Sequence, residues 1–184
     1  MIKEAAAFAD LVHQGAVRKG TPIPYITHPL ETAIIVATMT KDEELIAAAL
    51  LHDAIEDAGV TYEELLERFG SRVADLVLEE SEDKSKSWIE RKKATVEHLR
   101  TAHRDAKMLA LADKLSNIRS TSRDYLLMGE EIWQRFNVKE KFLHAWYYLS
   151  MAEGLEELKD FPEYQEYVKL CGMVFGEDDW LFED

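Results

Sequence analysis

Apolar positions recur along most of this chain at three- and four-residue intervals, and nowhere do they alternate with polar ones over a run long enough for a strand. Ile2, Ala5, Ala6, Ala9 and Val12 predict a first helix over residues 2–14. Gly15 to Pro29 holds three prolines and two glycines and reads as a loop. A second helix follows to about Met39, with Thr27 or His28 as its cap and Pro29 in its first turn. Thr40 and Glu43 form a capping-box pattern ahead of a third helix, which carries Ala47 to Asp57 and ends at Gly59. Thr61 and Glu64 repeat the pattern for a helix to about Phe69, and after Gly70 a helix with Val73, Leu76 and Val77 fades into the charged stretch Glu79 to Lys84. Ser87 and Glu90 open a basic-rich helix with Trp88, Arg91, Lys92 and Lys93. Ala106 to Arg119 is apolar but interrupted by Asp113, Lys114, Ser116 and Asn117, and the rest to about Leu158 is helical and aromatic. The tail from Asp160 is acidic and shows no clear pattern. The expectation is an all-α bundle in one domain, residues 1–155 forming its body and 156–184 a helical and acidic C-terminal extension.

Composition narrows the function classes. The 184 residues are 47% hydrophobic, enough for a sizeable core. Lys and Arg number 22 against 36 Asp and Glu, a formal net charge of −14, which argues against nucleic acid as a partner. It leaves room for an anionic small molecule, because a metal and a few bases can make one cleft positive within a negative protein. Cys171 is the one cysteine, so no intrachain disulfide forms. Neither a signal peptide nor a membrane span is legible, and the cytoplasm is the expected compartment. A homo-oligomer is left open.

The third helix carries the chemistry. On a helix Glu56 lies one turn beyond His52, and Asp57 one turn beyond Asp53. One end of an apolar helix therefore gathers an imidazole and three carboxylates, whose mutual repulsion calls for a positive partner, most simply a divalent cation. His28, His52, Asp53 and Asp113 are the candidate ligands, a mixed imidazole–carboxylate set that suits Mn, Fe, Zn, Co or Ni better than Ca. Each has another reading: His28 as a cap residue, His52-Asp53 as a dipeptide that arises often by chance, Asp113 as a partner of Lys114 or Arg119.

The order His, His-Asp, Asp resembles the HD superfamily of metal-dependent phosphohydrolases. Arg18-Lys19-Gly20 with Pro24-Tyr25-Ile26-Thr27-His28-Pro29, Ala48 to Asp53 with Glu56-Asp57, and Leu111 to Arg119 look like the hydrolase domain of the RelA/SpoT family, over roughly residues 1–155. The resemblance implies an HD-domain helical bundle. It also implies one bound metal, usually Mn2+, and removal of the 3′-pyrophosphate from guanosine tetra- or pentaphosphate. The length leaves no room for that family's synthetase domain, so the chain looks like the small stand-alone alarmone hydrolases. Carried onto this sequence, Glu56 and Asp57 orient or deprotonate a water that the metal acidifies. Arg18 and Lys19 meet the nucleotide, Asn117 hydrogen-bonds the nucleoside, and Lys84 and Arg91 neutralise the far phosphates. Other readings are an HD phosphatase of another nucleotide, or a nucleotide-binding regulator with a degenerate site. The sequence departs from the family at Glu80-Ser81-Glu82-Asp83, whose carboxylates would repel an anionic substrate unless they point away. His13, His98, His103 and His144 have no ligand spacing and read as surface or core residues.

Overall fold

Every residue from Leu45 to Leu51 is buried, so the segment lies inside the bundle rather than on it, and this explains an apolar run with no polar face. The computed structural model describes residues 1–176. Its helices are α1 (Ile2–Val12), α2 (Thr27–Met39), α3 (Glu43–Leu51), α4 (Ala54–Ala58), α5 (Tyr62–Phe69), α6 (Ser71–Glu80), α7 (Trp88–Thr101), α8 (Arg104–Met128), α9 (Lys141–Gly154) and α10 (Pro162–Phe175), with 3-10 turns at Gly129–Arg135 and Glu156–Leu158. Among the described residues there is no strand, only an isolated antiparallel bridge between Val17 and Pro24. The all-α expectation holds.

Two helices form the axis. α3 packs against α1, α2 and α6, and α8 packs against α2, α3, α6 and α10. Leu109, Leu111, Leu115 and Ile118 of α8 are wholly buried, and they surround the polar residues that the sequence places among them. Such burial removes on the order of 2 kcal/mol of exposed apolar surface per side chain, enough to hold Asp113 and Ser116 in an interior they would not choose alone.

Several expected boundaries move. The cap of α3 is Asp42, whose Oδ1 accepts from the N–H groups of Glu44 and Leu45, while Thr40 Oγ1 accepts from Asp42 N. A carboxylate two residues nearer the helix satisfies more of its open N–H groups than the Thr40 hydroxyl reaches. Neither Thr27 nor His28 caps α2: Thr27 donates back to Pro24 O, and the His28 ring points into the bundle. Thr61 caps α5, and Ser87 with Glu90 forms the complete reciprocal box of α7. The predicted third helix is two, α3 and α4, because the turn loosens at His52 and Asp53, where Asp53 sits at φ −92°, ψ −1°. Gly59 ends α4 in the left-handed conformation, at φ 70°. α8 runs from Arg104 to Met128, longer than the apolar stretch predicts at both ends. In the tail, Pro162 opens α10 at its first turn, and Tyr167, Cys171, Val174 and Phe175 bury one face of it. The rest of that tail, residues 177–184, lies outside the described residues.

Candidate metal centre

Three segments converge on one point in the bundle. The start of α2 supplies His28, the loosened turn between α3 and α4 supplies His52 and Asp53, and the middle of α8 supplies Asp113. The ligand atoms of His28, His52 and Asp113 all lie within 4.8 Å of one another. His28 Nε2 is 3.0 Å from Asp113 Oδ1 and 3.2 Å from His52 Nε2. Asp53 Oδ2 approaches the same nitrogens, 3.0 Å from His52 and 3.6 Å from His28. His28, His52 and Asp113 are 3%, 1% and 5% exposed, so bulk water does not compensate them.

The donor set fits a cation. His52 Nδ1 faces the carbonyl of Ala49 at 2.8 Å and must carry the ring proton there, which leaves Nε2 as a bare lone pair. That lone pair points at the other imidazole and at two carboxylate oxygens, an assembly of acceptors that only a proton or a metal ion can reconcile. The two rings feel this differently. Burial holds His28 below the usual histidine range, against the pull of Asp113. In His52 burial acts the same way, but Asp53 and Asp113 outweigh it and raise it well above that range. Asp113 is buried too, and Lys114 and the two imidazoles keep it ionised. A divalent metal at this centre would compete with a proton for His52 Nε2, so metal affinity is expected to fall as pH drops. Calorimetric titration at several pH values checks this, and a flat profile would count against imidazole ligation.

Asp113 has a lysine partner as well as the histidines. Its Oδ2 is paired with Lys114, whose buried ammonium also faces Glu80 at 3.9 Å, while Oδ1 faces the histidines and accepts from Asn117 Nδ2 at 2.7 Å. Arg119 is engaged elsewhere, by Glu31 and Glu166.

One turn past the ligands, Glu56 and Asp57 stand at the edge of a cleft of about 500 Å3, lined also by Arg18, Lys19, Asn117, Arg135, Phe136 and Tyr148. Burial raises the Glu56 carboxyl above its ordinary range, and Glu82 and Asp57 add to this, so it accepts a proton more readily than an ordinary carboxylate. Glu56 Oε2 accepts from Glu82 N at 3.1 Å. Lys84 is ion-paired to Asp57 and lies 3.8 Å from Glu56 Oε1. Lys84 therefore sits beside these two carboxylates. Arg18 Nη2 donates to Asn117 Oδ1 at 2.9 Å, and its guanidinium lies 5.8 Å from the centre of the Tyr25 ring. Lys19 donates to Asn137 at 3.2 Å beside the Phe136 ring. These two cations sit at the tip of the loop closed by the Val17–Pro24 bridge. Gly20 there has φ 71°, and a Cβ on it would come within 2.8 Å of Arg135 Cδ, so glycine lets Arg135 reach the cleft.

Arg91 does not join them. It lines a separate cavity between α6 and α7 and pairs with Glu82 at 2.7 Å. The same Glu82 carboxylate takes Lys92 at 2.7 Å and Thr95 at 3.1 Å, because α7 presents three donors to it. Glu82 thus faces α7, away from the cleft, and Asp83 closes its own turn on Ser85. Glu80 is turned inward toward Lys114, and burial pushes its carboxyl up to about 7. None of the four residues of the segment that departs from the RelA/SpoT pattern lines the cleft, although Glu82 lies near enough to Glu56 to raise its carboxyl.

Tyr25 and Ser116 were missing from the sequence-derived site. Tyr25 Oη lies 2.7 Å from Asp53 Oδ2 and 3.1 Å from Asp57 Oδ2, tying a candidate ligand to a candidate base, and Ser116 Oγ lies 2.8 Å from His28 Nδ1. The sequence signal for Ser116 was a hydroxyl interrupting an apolar helix; Tyr25 stood inside the motif with no role. Among the other histidines, His13 is buried against the Tyr25 ring and His144 between Trp88, Trp133 and Phe136, while His98 and His103 pair with Glu79 at the surface.

Comparison with known proteins follows the same lines. Residues 5–140 match the HD domain family model. The guanosine-3′,5′-bis(diphosphate) 3′-pyrophosphohydrolase MESH1 of Xenopus tropicalis is 39% identical over 148 residues, covering 79% of this chain and 80% of that protein. The human protein of the same name is 40% identical over 159 residues, 83% of each. A crystal structure from Listeria monocytogenes EGD-e superposes with a TM-score of 0.75 at 36% identity, over 80% of this chain and 98% of that one. A metazoan ortholog of SpoT superposes with a TM-score of 0.77 at 24% identity, over 98% and 96%, and supports the fold. Family model, relatives and geometry agree, and the chain belongs to the HD-domain family of metal-dependent phosphohydrolases, among its small alarmone hydrolases.

Proposed function

We propose that this protein hydrolyses a (p)ppGpp-like guanosine nucleotide, releasing the 3′-pyrophosphate, with Mn2+ held by His28, His52, Asp53 and Asp113. The observation that carries the reading is the placement of Glu56 and Asp57 between the metal centre and a cleft with cations at its rim and aromatic rings along its wall. The mixed imidazole–carboxylate set supports Mn2+ over Ca2+. A bound divalent ion would acidify a water and polarise a phosphoryl oxygen. Glu56, half-buried and raised toward neutrality, takes the proton from the attacking water. The water oxygen bonds phosphorus as the bond from phosphorus to the ribose 3′ oxygen breaks, and the proton taken by Glu56 passes to that oxygen, giving GDP and pyrophosphate from ppGpp. Asp57 holds Lys84 at the carboxylate edge, where its ammonium can turn toward phosphate oxygens, since the side chain is half exposed. Arg18, Lys19 and Arg135 supply positive charge at the nucleotide end, and Tyr25, Phe136 and Tyr148 supply stacking surface. Asn117 has its amide committed to Asp113 and Arg18, so we assign it to holding both in place before it meets the nucleoside.

No helix among the described residues is long and apolar enough to cross a membrane. The test is turnover of ppGpp with added Mn2+, resolving GDP, pyrophosphate and orthophosphate. We expect GDP and pyrophosphate in equal amounts. Orthophosphate as the product, or silence toward ppGpp from metal-loaded protein, would move the substrate to another nucleotide within the same family.

A further inference from the structure

His28 is held by a different kind of contact from His52. The Nδ1 of His52 rests on a backbone carbonyl, but the Nδ1 of His28 rests on a side chain, Ser116 Oγ, at 2.8 Å. Ser116 is 1% exposed, so its hydroxyl has no recourse to bulk water. Its Oγ is also 2.8 Å from Glu31 Oε2. The other oxygen of Glu31 takes Arg119 Nη1 at 3.1 Å, and Arg119 is in turn held by Glu166 of α10, at 2.7 and 2.6 Å.

Proton accounting gives this row a direction. Glu31, facing a guanidinium, is an acceptor, so the Ser116 proton must point to it. Ser116 then has only a lone pair for His28, and His28 must carry its ring proton on Nδ1. The opposite tautomer would leave Ser116 Oγ and Glu31 Oε2 as two acceptors 2.8 Å apart. The arrangement frees the Nε2 of His28, the atom that faces His52 and Asp113. It follows from helix register: His28 and Glu31 are three apart on α2, Ser116 and Arg119 three apart on α8, and the two pairs interlock where those helices pack.

We propose that Ser116 and Glu31 are positioning residues for metal retention, fixing the tautomer of His28, and that Arg119 and Glu166 extend this support to the C-terminal helix. The proposal rests on the metal centre proposed above. Outer partners of this kind contribute roughly 10–100-fold to metal affinity in other proteins. The experiment titrates Mn2+ alone into the full-length protein and reads free Mn2+ by its paramagnetic resonance signal. The panel is wild type, Ser116→Ala, Ser116→Thr, Glu31→Gln and His52→Ala. We expect Ser116→Ala and Glu31→Gln to weaken Mn2+ binding about 10–100-fold, Ser116→Thr to retain it because the hydroxyl is kept, and turnover of Ser116→Ala to recover at saturating Mn2+. A general packing defect would not be rescued by metal. Glu31→Gln, at a partly exposed carboxylate, keeps the test alive if Ser116→Ala does not fold. Wild-type affinity in both Ser116→Ala and Glu31→Gln, with His52→Ala impaired, would overturn the relay and leave the metal centre standing. Absence of stoichiometric Mn2+ in the wild type would overturn both.

Discussion

Glu56→Gln is expected to lower kcat by about 10²–10⁴-fold, the range that a positioned proton acceptor supplies, with metal stoichiometry unchanged. The substitution is chosen for what it retains. A glutamine oxygen still accepts the N–H of Glu82 that Glu56 Oε2 accepts at 3.1 Å, so the segment after α6 stays in place. What is lost is a carboxylate whose affinity for a proton is raised, first by burial and then by the neighbouring acids Glu82 and Asp57. Asp57 makes the contrast, because Tyr25 and Lys84 already occupy its oxygens. Steady-state kinetics with ppGpp, alongside metal analysis, checks the prediction. Turnover at the wild-type rate would remove Glu56 from the mechanism.

The second large effect concerns the metal itself. His52→Ala is expected to weaken metal retention by more than about 100-fold, beyond the range typical of outer-sphere partners, whereas His144→Ala should retain metal in full. Both residues are buried histidines, 1% and 8% exposed, so packing loss alone cannot separate them. Their surroundings do. His52 Nε2 faces an imidazole and two carboxylates; His144 is stacked on Trp133 at 5.2 Å and hydrogen-bonded through Nε2 to Val138 O at 2.9 Å. Metal content after desalting, read beside thermal unfolding, distinguishes the two. Equal loss of metal in both variants would sink the ligand assignment.

The fold was legible because helical patterning is local. Caps at Thr61 and Ser87 and the stop at Gly59 follow from residues a few positions apart. The cap of α3 was misplaced because Thr40 and Asp42 are both good caps, and only the packed chain decides which one faces the open N–H groups. The C-terminal extension reads as helical, but the bounds and buried face of α10 are not legible, because Tyr167, Cys171, Val174 and Phe175 are diluted by acids and a glycine and its partner α8 lies far away in sequence. The candidate metal centre could be suspected from polar residues stranded in apolar helices. The fate of the acidic segment could not. Whether Glu82 faces the cleft or α7 depends on Arg91, Lys92 and Thr95 arriving beneath it, a tertiary event that no spacing along the chain encodes.

Lys114 has a consequence beyond its pairing with Asp113. Its ammonium, buried between Asp113 and Glu80, supplies part of the countercharge that a cluster of acids requires. With His52 anchored on Ala49 O and His28 on Ser116, each ligand side chain is held by the protein's own contacts. Loading therefore does not have to fold anything, unlike small zinc modules in which the ion assembles its own cage. The geometry of the candidate centre is thus set by helix packing, and the ion it is proposed to hold meets ligands already oriented by the protein.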